Sequence, residues 1–216
     1  LRIKYRERKD VFLEKNIKVK EPITIFKDWL GEATKTEEII EPNAGCIATV
    51  DKNGFPSNRF VLLKDVLDEG FTFFTNYGSR KAQNISENPN VAMTFYWLPL
   101  RRSIRIEGVA EKISKEKSLE YFHMRPRASQ IGALAEQSSK IPSREHLDEI
   151  EAKIKADLGD DKEVPLPNWG GYLIKPRLIE FWQGQSDRLH DRIRFEVDGK
   201  LVHKGENGWV YERLAP

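Results

Sequence analysis

The chain has 216 residues, enough to bury a sizeable core as one large domain or two small ones. It carries 36 lysines and arginines against 34 aspartates and glutamates, and this net charge of +2 gives no overall field for binding nucleic acid or an anionic membrane. Any anion site must therefore be local. The single cysteine, Cys46, excludes an intrachain disulfide and lies in an apolar run, which favours a small buried hydrophobe.

No apolar stretch approaches the roughly 20 residues that a membrane-spanning helix needs. No signal-peptide pattern opens the sequence, so a soluble, cytoplasmic protein is expected. Because the sequence begins at Leu1 rather than Met, an upstream targeting segment stays open.

The N-terminal part of the sequence divides into a charged arm and a helix. Residues 1–20 are strongly charged and hold few apolar side chains, which predicts a mobile arm ahead of a single domain over residues 21–216. A helix follows, because Pro22 suits a first helical turn and Phe26 and Leu30 are spaced to share one face.

From residue 45 the sequence alternates at the period of β-strands and is rich in Val, Ile, Phe and Thr. Short turns favour antiparallel neighbours over parallel strands joined by crossover helices. A short helix interrupts the strands and is stopped by Pro89. The predicted elements are the strands Cys46–Val50, Arg59–Lys64, Phe71–Thr75, Val91–Trp97 and Ser103–Ile113, and the helix Arg80–Asn88.

A helical middle and a second group of strands complete the chain. The predicted fold class is therefore mainly β with inserted helices (α+β), arranged as a β-barrel. The remaining predicted elements are the helices Ser114–His123, Ala128–Glu136 and Arg144–Leu158, the surface loop Asp160–Pro167, and the strands Tyr172–Ile174, Leu178–Trp182, Arg188–Phe195 and Trp209–Arg213.

The segment 188–195 has a basic residue at every second position. If the segment is extended, Arg188, His190, Arg192 and Arg194 point to the same face. An anion between them would relieve the repulsion of like charges. A solvated edge strand, made basic to discourage aggregation, explains the pattern equally well.

Two further clusters suit a phosphate group. Ser79-Arg-Lys81 lies where a turn enters a helix, so backbone N–H groups, the helix dipole and two cations favour an anion there. Tyr121, Arg125 and Ser129 are spaced by four, but Pro126 breaks a regular helix and would place the last two beside a new helix start. Each cluster alone is also typical of solvated basic residues at an ordinary helix end.

Other classes of site lack support. The four histidines are far apart in sequence and have no partner at ligand spacing, so no metal site is predicted. Neither the dinucleotide-binding glycine motif nor the P-loop is present, and no nucleophile elbow supports Ser-His-Asp hydrolysis. Binding of phosphate through Arg, Lys, Ser and Tyr is the theme that remains.

A series of short motifs runs in order along the chain. The most specific is Glu180-Phe-Trp-Gln-x4-Arg188-Leu-His-Asp-Arg192. With the others the sequence resembles, over nearly its whole length, the pyridoxine (pyridoxamine) 5′-phosphate oxidases, which are FMN-binding split β-barrel flavoproteins. The other motifs are Arg59-Phe-Val-Leu-Leu-Lys64, Phe73-Phe-Thr-Asn76, Ser79-Arg-Lys81, Phe95-Tyr-Trp97, Arg125-Pro126, Ser129-Gln-Ile-Gly-Ala133 and Gln137-Ser138.

The resemblance implies contacts to two phosphorylated molecules. Where related chains carry a glutamine, this chain has Ser103, which is too short for the same flavin contact, so that contact is either lost or replaced by water. The implied FMN contacts are Arg59, Phe60, Val61, Leu62, Phe74, Thr75, Arg80, Lys81, Gln137, Ser138, Trp182 and Arg192. The implied substrate contacts are Lys64, Tyr121, Arg125, Ser129, Arg188, Leu189 and His190, with Arg2 and Tyr5 on a lid from the N-terminal arm.

The implied activity is oxidation of pyridoxine 5′-phosphate and pyridoxamine 5′-phosphate to pyridoxal 5′-phosphate, in vitamin B6 metabolism and salvage. Arg188 and His190 are the implied catalytic residues, with hydride passing from substrate C4′ to flavin N5 and O2 reduced to hydrogen peroxide. The resemblance also implies a homodimer with FMN at its interface, so that each site draws on both chains.

Two other functions stay open. A flavin reductase or another split-barrel oxidoreductase would act on a different substrate, and one without phosphate would not need Lys64, Tyr121, Arg125 and Ser129. A non-enzymatic barrel that binds RNA or a partner protein through its basic strand would be colourless, whereas a flavoprotein is yellow.

Overall fold

The structure, a computed structural model, describes residues 11–135, 138, 140–159 and 161–216. Arg2, Tyr5 and Gln137 lie outside these residues, so their predicted roles stay predictions. The strands are β1 (Ala44–Val50), β2 (Pro56–Leu67), β3 (Gly70–Asn76), β4 (Asn90–Trp97), β5 (Arg102–Lys112), β6 (Trp169–Gln183), β7 (Asp191–Val197), β8 (His203–Lys204) and β9 (Trp209–Leu214). The helices are α1 (Pro22–Thr34), α2 (Arg80–Glu87), α3 (Lys115–Met124), α4 (Arg127–Leu134) and α5 (Arg144–Leu158).

All strand pairs are antiparallel, in the order β3-β2-β1-β4-β5-β6-β7-β9-β8. An additional pairing of β3 with β6 closes the first six of them into a barrel. The second half of β6 also pairs with β7, which carries the sheet beyond the barrel. The prediction of a mainly β protein with inserted helices, built as a split β-barrel, is confirmed.

Strand β6 is continuous, whereas the sequence predicted two strands separated at Pro176. The proline is absorbed by a bulge, because the register against β5 shifts between Glu107 and Gly108. A Cβ atom on Gly108 would lie 2.2 Å from the carbonyl oxygen of Lys175, so the close approach at the bulge requires glycine.

Helix α1 packs its apolar face on the barrel. Glu21 caps its start, since the carboxylate accepts hydrogen bonds from two backbone N–H groups of the first turn. Phe26 is fully buried, with its ring centroid 4.8 Å from that of Phe71 and 5.2 Å from that of Phe95. Leu30 is partly buried against the same core.

Residues 11–20 also pack on the domain. The ring centroid of Phe12 lies 5.0 Å from that of Trp29, and the Phe12 N–H donates to the Asp191 carboxylate at 3.0 Å. Ile17 is buried in the main core. The sequence predicted residues 1–20 as an arm. Its described part contacts the domain from Phe12 onward.

The break between α3 and α4 falls at Pro126, as predicted. A second apolar cluster forms beneath this corner and includes Phe122, Ile131 and Trp169. It fixes the corner against the start of β6. No helix in the described part of the chain is long and apolar enough to cross a membrane.

Candidate active site

A cavity of about 510 Å³, here called the cationic cavity, opens between β2, β3, the start of α2 and the α3–α4 corner. The predicted phosphate contacts and most predicted FMN contacts meet in its wall. The sequence reasoning missed Pro126 and Trp169 as lining residues. The full lining is Arg59, Phe60, Val61, Leu62, Lys64, Phe74, Thr75, Lys81, Tyr121, Arg125, Pro126, Ser129 and Trp169.

Arg59 is held by neutral oxygen atoms on β1 and β2. Its Nη1 donates to Thr49 Oγ1 at 2.9 Å and to the Ser57 carbonyl at 3.0 Å, and its Nη2 donates to Ser57 Oγ at 2.7 Å. Burial lowers the pKa of the Arg59 guanidinium, and the nearby charge of Arg80 lowers it further. Arg80 itself is exposed at the first position of α2.

Lys81 enters the cavity from the first turn of α2. Ser79 caps that helix, because its Oγ accepts from the Ala82 N–H. Lys81 Nζ donates to Thr75 Oγ1 at 2.9 Å. Burial lowers the pKa of the Lys81 ammonium, with a further contribution from the charge of Arg59.

Arg125 lies on the aromatic side of the cavity. Its guanidinium carbon is 4.9 Å from the centroid of the Trp169 ring, within cation–π range. Trp169 belongs to a cluster of three nearly parallel rings, in which the Phe74 centroid lies 5.1 Å from that of Trp169 and 4.0 Å from that of Tyr121. The Arg125 Nη1 is buried and has no hydrogen-bond partner, and burial lowers the pKa of the guanidinium.

Burial disfavours the charged forms of Arg59, Lys81 and Arg125. Among the residues that the structure describes, no carboxylate forms an ion pair with Arg59, Lys81 or Arg125. Buried charges normally have partners. A bound phosphate would supply them, and it would also satisfy the orphaned Nη1, so the cavity fits a phosphorylated ligand.

A second cavity, of about 280 Å³, lies on the face of β4, β5 and β6. We call it the β5–β6 cavity. Trp182 lines it beside its cross-strand partner Ser103. The His190 ring lies 4.8 Å from the Trp182 ring, between centroids. The full lining is Thr94, Tyr96, Ser103, Arg105, Glu180 and Trp182.

The predicted row of four cations on one strand is wrong. Strand β7 begins only at Asp191, and Arg188 precedes it in a left-handed conformation with φ 68°. Arg192 and Arg194 do share a face, since burial alternates along β7. Both are paired, because Arg192 lies 2.8 Å from Glu180 and Arg194 lies 2.5 Å from Glu212.

Within one chain the predicted site residues therefore fall into separate regions. The lining residues of the cationic cavity are distinct from those of the β5–β6 cavity, which Trp182 lines with His190 and Arg192 nearby. Arg188, Leu189 and Ser138 are exposed and line neither cavity.

Comparison with known proteins identifies the family. A family profile described as "Pyridoxamine 5'-phosphate oxidase" matches residues 32–154. The pyridoxine/pyridoxamine 5′-phosphate oxidase of Bombyx mori is 56% identical over 226 aligned positions, which cover 100% of this chain and 88% of the relative. The chain belongs to the pyridoxine/pyridoxamine 5′-phosphate oxidase family.

Solved structures share this fold. PhzG from Burkholderia lata, in complex with tetrahydrophenazine-1-carboxylic acid, has a TM-score of 0.84 and 29% identity, covering 96% of this chain and 98% of its own. A pyridoxamine 5′-phosphate oxidase-related, FMN-binding protein from Nostoc punctiforme shares the fold, with a TM-score of 0.66 and 18% identity over 88% and 97% of the two chains.

The family assignment makes the protein an oxidoreductase with FMN as its cofactor. A second profile, the "Pyridoxine 5'-phosphate oxidase C-terminal dimerisation region", matches residues 169–216. That region spans β6 to β9, so it carries Trp182, His190 and Arg192. The family is thus one of homodimers, and the β5–β6 cavity lies partly on the dimerisation region.

Proposed function

We propose that the protein oxidises pyridoxine 5′-phosphate and pyridoxamine 5′-phosphate to pyridoxal 5′-phosphate, with O2 as final electron acceptor and hydrogen peroxide as by-product. When bound, FMN supplies the acceptor for the hydride from substrate C4′ and passes the electrons on to O2. The observation that carries the proposal is the cationic cavity, where the buried Arg125 Nη1 has no hydrogen-bond partner and where bound anions would stabilise the charged forms of Arg59 and Lys81, which no described carboxylate pairs with.

The cavity wall contains two groups of phosphate-binding side chains. Arg59 and Lys81, with the first turn of α2, would hold the FMN phosphate. Lys64, Arg125 and Ser129 line the same cavity and would join Tyr121 as donors for the substrate phosphate. Binding of this remote phosphate would fix the pyridine ring and spend binding energy on orientation.

Arg188 and His190 would orient the substrate ring and its C4′ substituent. They lie outside the cationic cavity of their own chain. We therefore propose that each site combines the cationic cavity of one chain with Trp182, Arg188, His190 and Arg192 of its partner, with FMN at the interface. The dimerisation profile over residues 169–216, which include all four, supports this arrangement.

Anaerobic mixing of FMN-loaded protein with pyridoxine 5′-phosphate tests the proposal. We expect loss of the oxidised-flavin absorbance and formation of pyridoxal 5′-phosphate. When air is admitted, O2 should reoxidise the flavin and hydrogen peroxide should form. Unphosphorylated pyridoxine is the matched control and should react far more slowly, because the phosphate contacts are lost. An unchanged flavin spectrum, or equal rates with both compounds, would contradict the proposal and favour an oxidoreductase that acts on an unphosphorylated substrate.

The proposed role of Arg188 has its own test. Arg188→Ala should lower kcat/KM for pyridoxine 5′-phosphate at saturating FMN while leaving FMN affinity unchanged. Arg192→Ala should instead weaken FMN retention. Near-normal kcat/KM in the first variant would remove Arg188 from the site, and unchanged FMN affinity in the second would do the same for Arg192.

A further inference from the structure

The turn that carries His190 is anchored by a buried carboxylate. Asp191 is 7% exposed and begins β7. Its Oδ2 accepts hydrogen bonds from Gln185 Nε2 at 2.8 Å and from the Phe12 N–H at 3.0 Å. Its Oδ1 accepts from Arg213 Nη1 at 2.7 Å. Asp191 therefore connects the turn to both ends of the described chain without lining either cavity.

Gln185 transmits this anchoring to the imidazole. Its side chain is 3% exposed and is held by Asp191, as above. Its backbone N–H donates to His190 Nδ1 at 3.0 Å. The turn from Gln185 to His190 is thus closed at both ends, by a side-chain bond to Asp191 and by a backbone bond to the ring.

The backbone bond determines which nitrogen of the ring carries the proton. A backbone N–H group can only donate, so Nδ1 must be the acceptor. In a neutral imidazole the proton then lies on Nε2. The other tautomer would set two N–H groups against each other and lose this hydrogen bond. The neighbouring Trp182 ring packs on the imidazole.

We propose that Asp191 and Gln185 are positioning residues that fix His190 as the Nε2–H tautomer. His190 then offers the substrate a hydrogen-bond donor and does not act as a proton acceptor at Nε2. The consequence for turnover rests on the proposed function. The tautomer itself does not, because it follows from a contact within this chain.

Nuclear magnetic resonance of the FMN-loaded protein tests the tautomer directly. With 15N-labelled histidine, long-range 1H–15N spectra distinguish a protonated from an unprotonated ring nitrogen. The chain has four histidines, and His190→Gln assigns the signals of this one. We expect an unprotonated Nδ1 and a protonated Nε2. A protonated Nδ1, or an averaged mixture of tautomers, would overturn the proposal.

Two variants test the positioning residues. The first, Asp191→Asn, replaces the anchoring carboxylate. The second, Gln185→Met, removes only the side-chain bond to Asp191 and leaves the Arg213 and Phe12 contacts of Asp191 in place, so it can be tested even if Asp191→Asn fails to fold. We expect mixed His190 tautomers in both, and a fall in kcat of about tenfold, as for loss of one hydrogen bond. Affinity for FMN should stay within about twofold.

The matched control is Asp198→Asn, which makes the same charge change just after β7. Asparagine tolerates the left-handed conformation of this position, φ 53°. It should change neither the tautomer nor kcat. A variant that loses turnover while His190 keeps a single Nε2–H tautomer would overturn the proposal. Failure of the wild-type protein to oxidise pyridoxine 5′-phosphate would instead contradict the proposed function and would not affect the tautomer result.

Discussion

Glu180 lies between two arginines, and its hydrogen bond from Arg192 Nε is 2.8 Å long. The other carboxylate oxygen accepts from Arg105 Nη2, also at 2.8 Å. Burial raises the pKa of Glu180, but the hydrogen bonds from Arg192 and Arg105 outweigh burial and hold the pKa below its ordinary value of 4.5. Glu180 therefore orients Arg192, a predicted FMN contact, from a neighbouring strand of the sheet.

Glu180→Gln should destabilise the protein and weaken FMN retention. We expect a loss of about 1–3 kcal/mol in the free energy of unfolding, less than for a fully buried pair because Arg105 is 40% exposed. The folded-state pKa is lowered, so this stability is present above pH 4.5 and is lost as pH falls through the folded-state pKa. Urea unfolding from pH 7 down to pH 3 measures it, since these values bracket the ordinary carboxylate pKa.

The control for this variant is Glu111→Gln. Glu111 pairs with Lys175 at 2.7 Å, but both side chains are about half exposed. Exposed pairs contribute about 0–1 kcal/mol, so little change is expected. Equal losses of unfolding free energy in the two variants would show that the ion pairs of Glu180 stabilise the protein no more than an exposed pair does.

Arg125→Met should weaken substrate binding without lowering the stability of the protein. The Arg125 guanidinium is partly buried, has an orphaned Nη1 and lacks a carboxylate partner among the described residues, so its removal should not lower, and should slightly raise, the stability of the protein without ligands. The KM for pyridoxine 5′-phosphate should rise about 30-fold or more, as for the loss of a charged hydrogen bond.

Arg144→Met is the matched control for Arg125. Arg144 is 80% exposed and pairs within its own helix with Asp148. Its removal should leave KM unchanged. Thermal unfolding without ligands and steady-state kinetics measure the two effects. A large loss of stability in Arg125→Met with an unchanged KM would reverse the assignment and make Arg125 a structural residue.

Local sequence patterns predicted most of the fold and the parts of the site. Alternation and turn residues located β1 to β5, and Pro126 located the corner where α3 gives way to α4. Each of these signals depends on near neighbours in the sequence. The candidate phosphate contacts of the cationic cavity were predicted for the same reason, because Ser79-Arg-Lys81 and Arg125-Pro126 lie at helix starts.

The features that the sequence did not reveal depend on distant partners. The continuity of β6 through Pro176 requires a bulge in β6 opposite Gly108 of β5, which cannot be recognised from neighbouring residues in the sequence. The basic pattern in β7 suggested an anion, but Glu180 and Glu212 on neighbouring strands already neutralise it. Trp169 was missed because its place beside Arg125 is created by the pairing of β6 with β3.

Ser103→Gln should strengthen FMN binding. Ser103 pairs across the sheet with Tyr96 and Trp182 and lines the β5–β6 cavity, whose volume of about 280 Å³ leaves room for a longer side chain. A glutamine amide there would supply a direct hydrogen bond to the flavin, worth about 0.5–1.5 kcal/mol, or a roughly two- to tenfold lower Kd. Quenching of flavin fluorescence on titration with protein measures the Kd for FMN. Ser103→Ala is the control, and an unchanged or higher Kd in Ser103→Gln would remove Ser103 from the cofactor site.

FMN affinity should fall in alkaline solution because of Lys81. Burial and the charge of Arg59 lower the pKa of Lys81 from its ordinary value of 10.5, and a bound phosphate would raise that pKa again. Affinity is therefore constant below the lowered pKa of the free protein and declines above it, starting at a pH below 10.5. Titrations of FMN between about pH 7 and 10.5 measure the decline. In Lys81→Arg the decline should move to higher pH, because arginine keeps its proton there. The same decline in both proteins would show that Lys81 does not bind the phosphate of FMN.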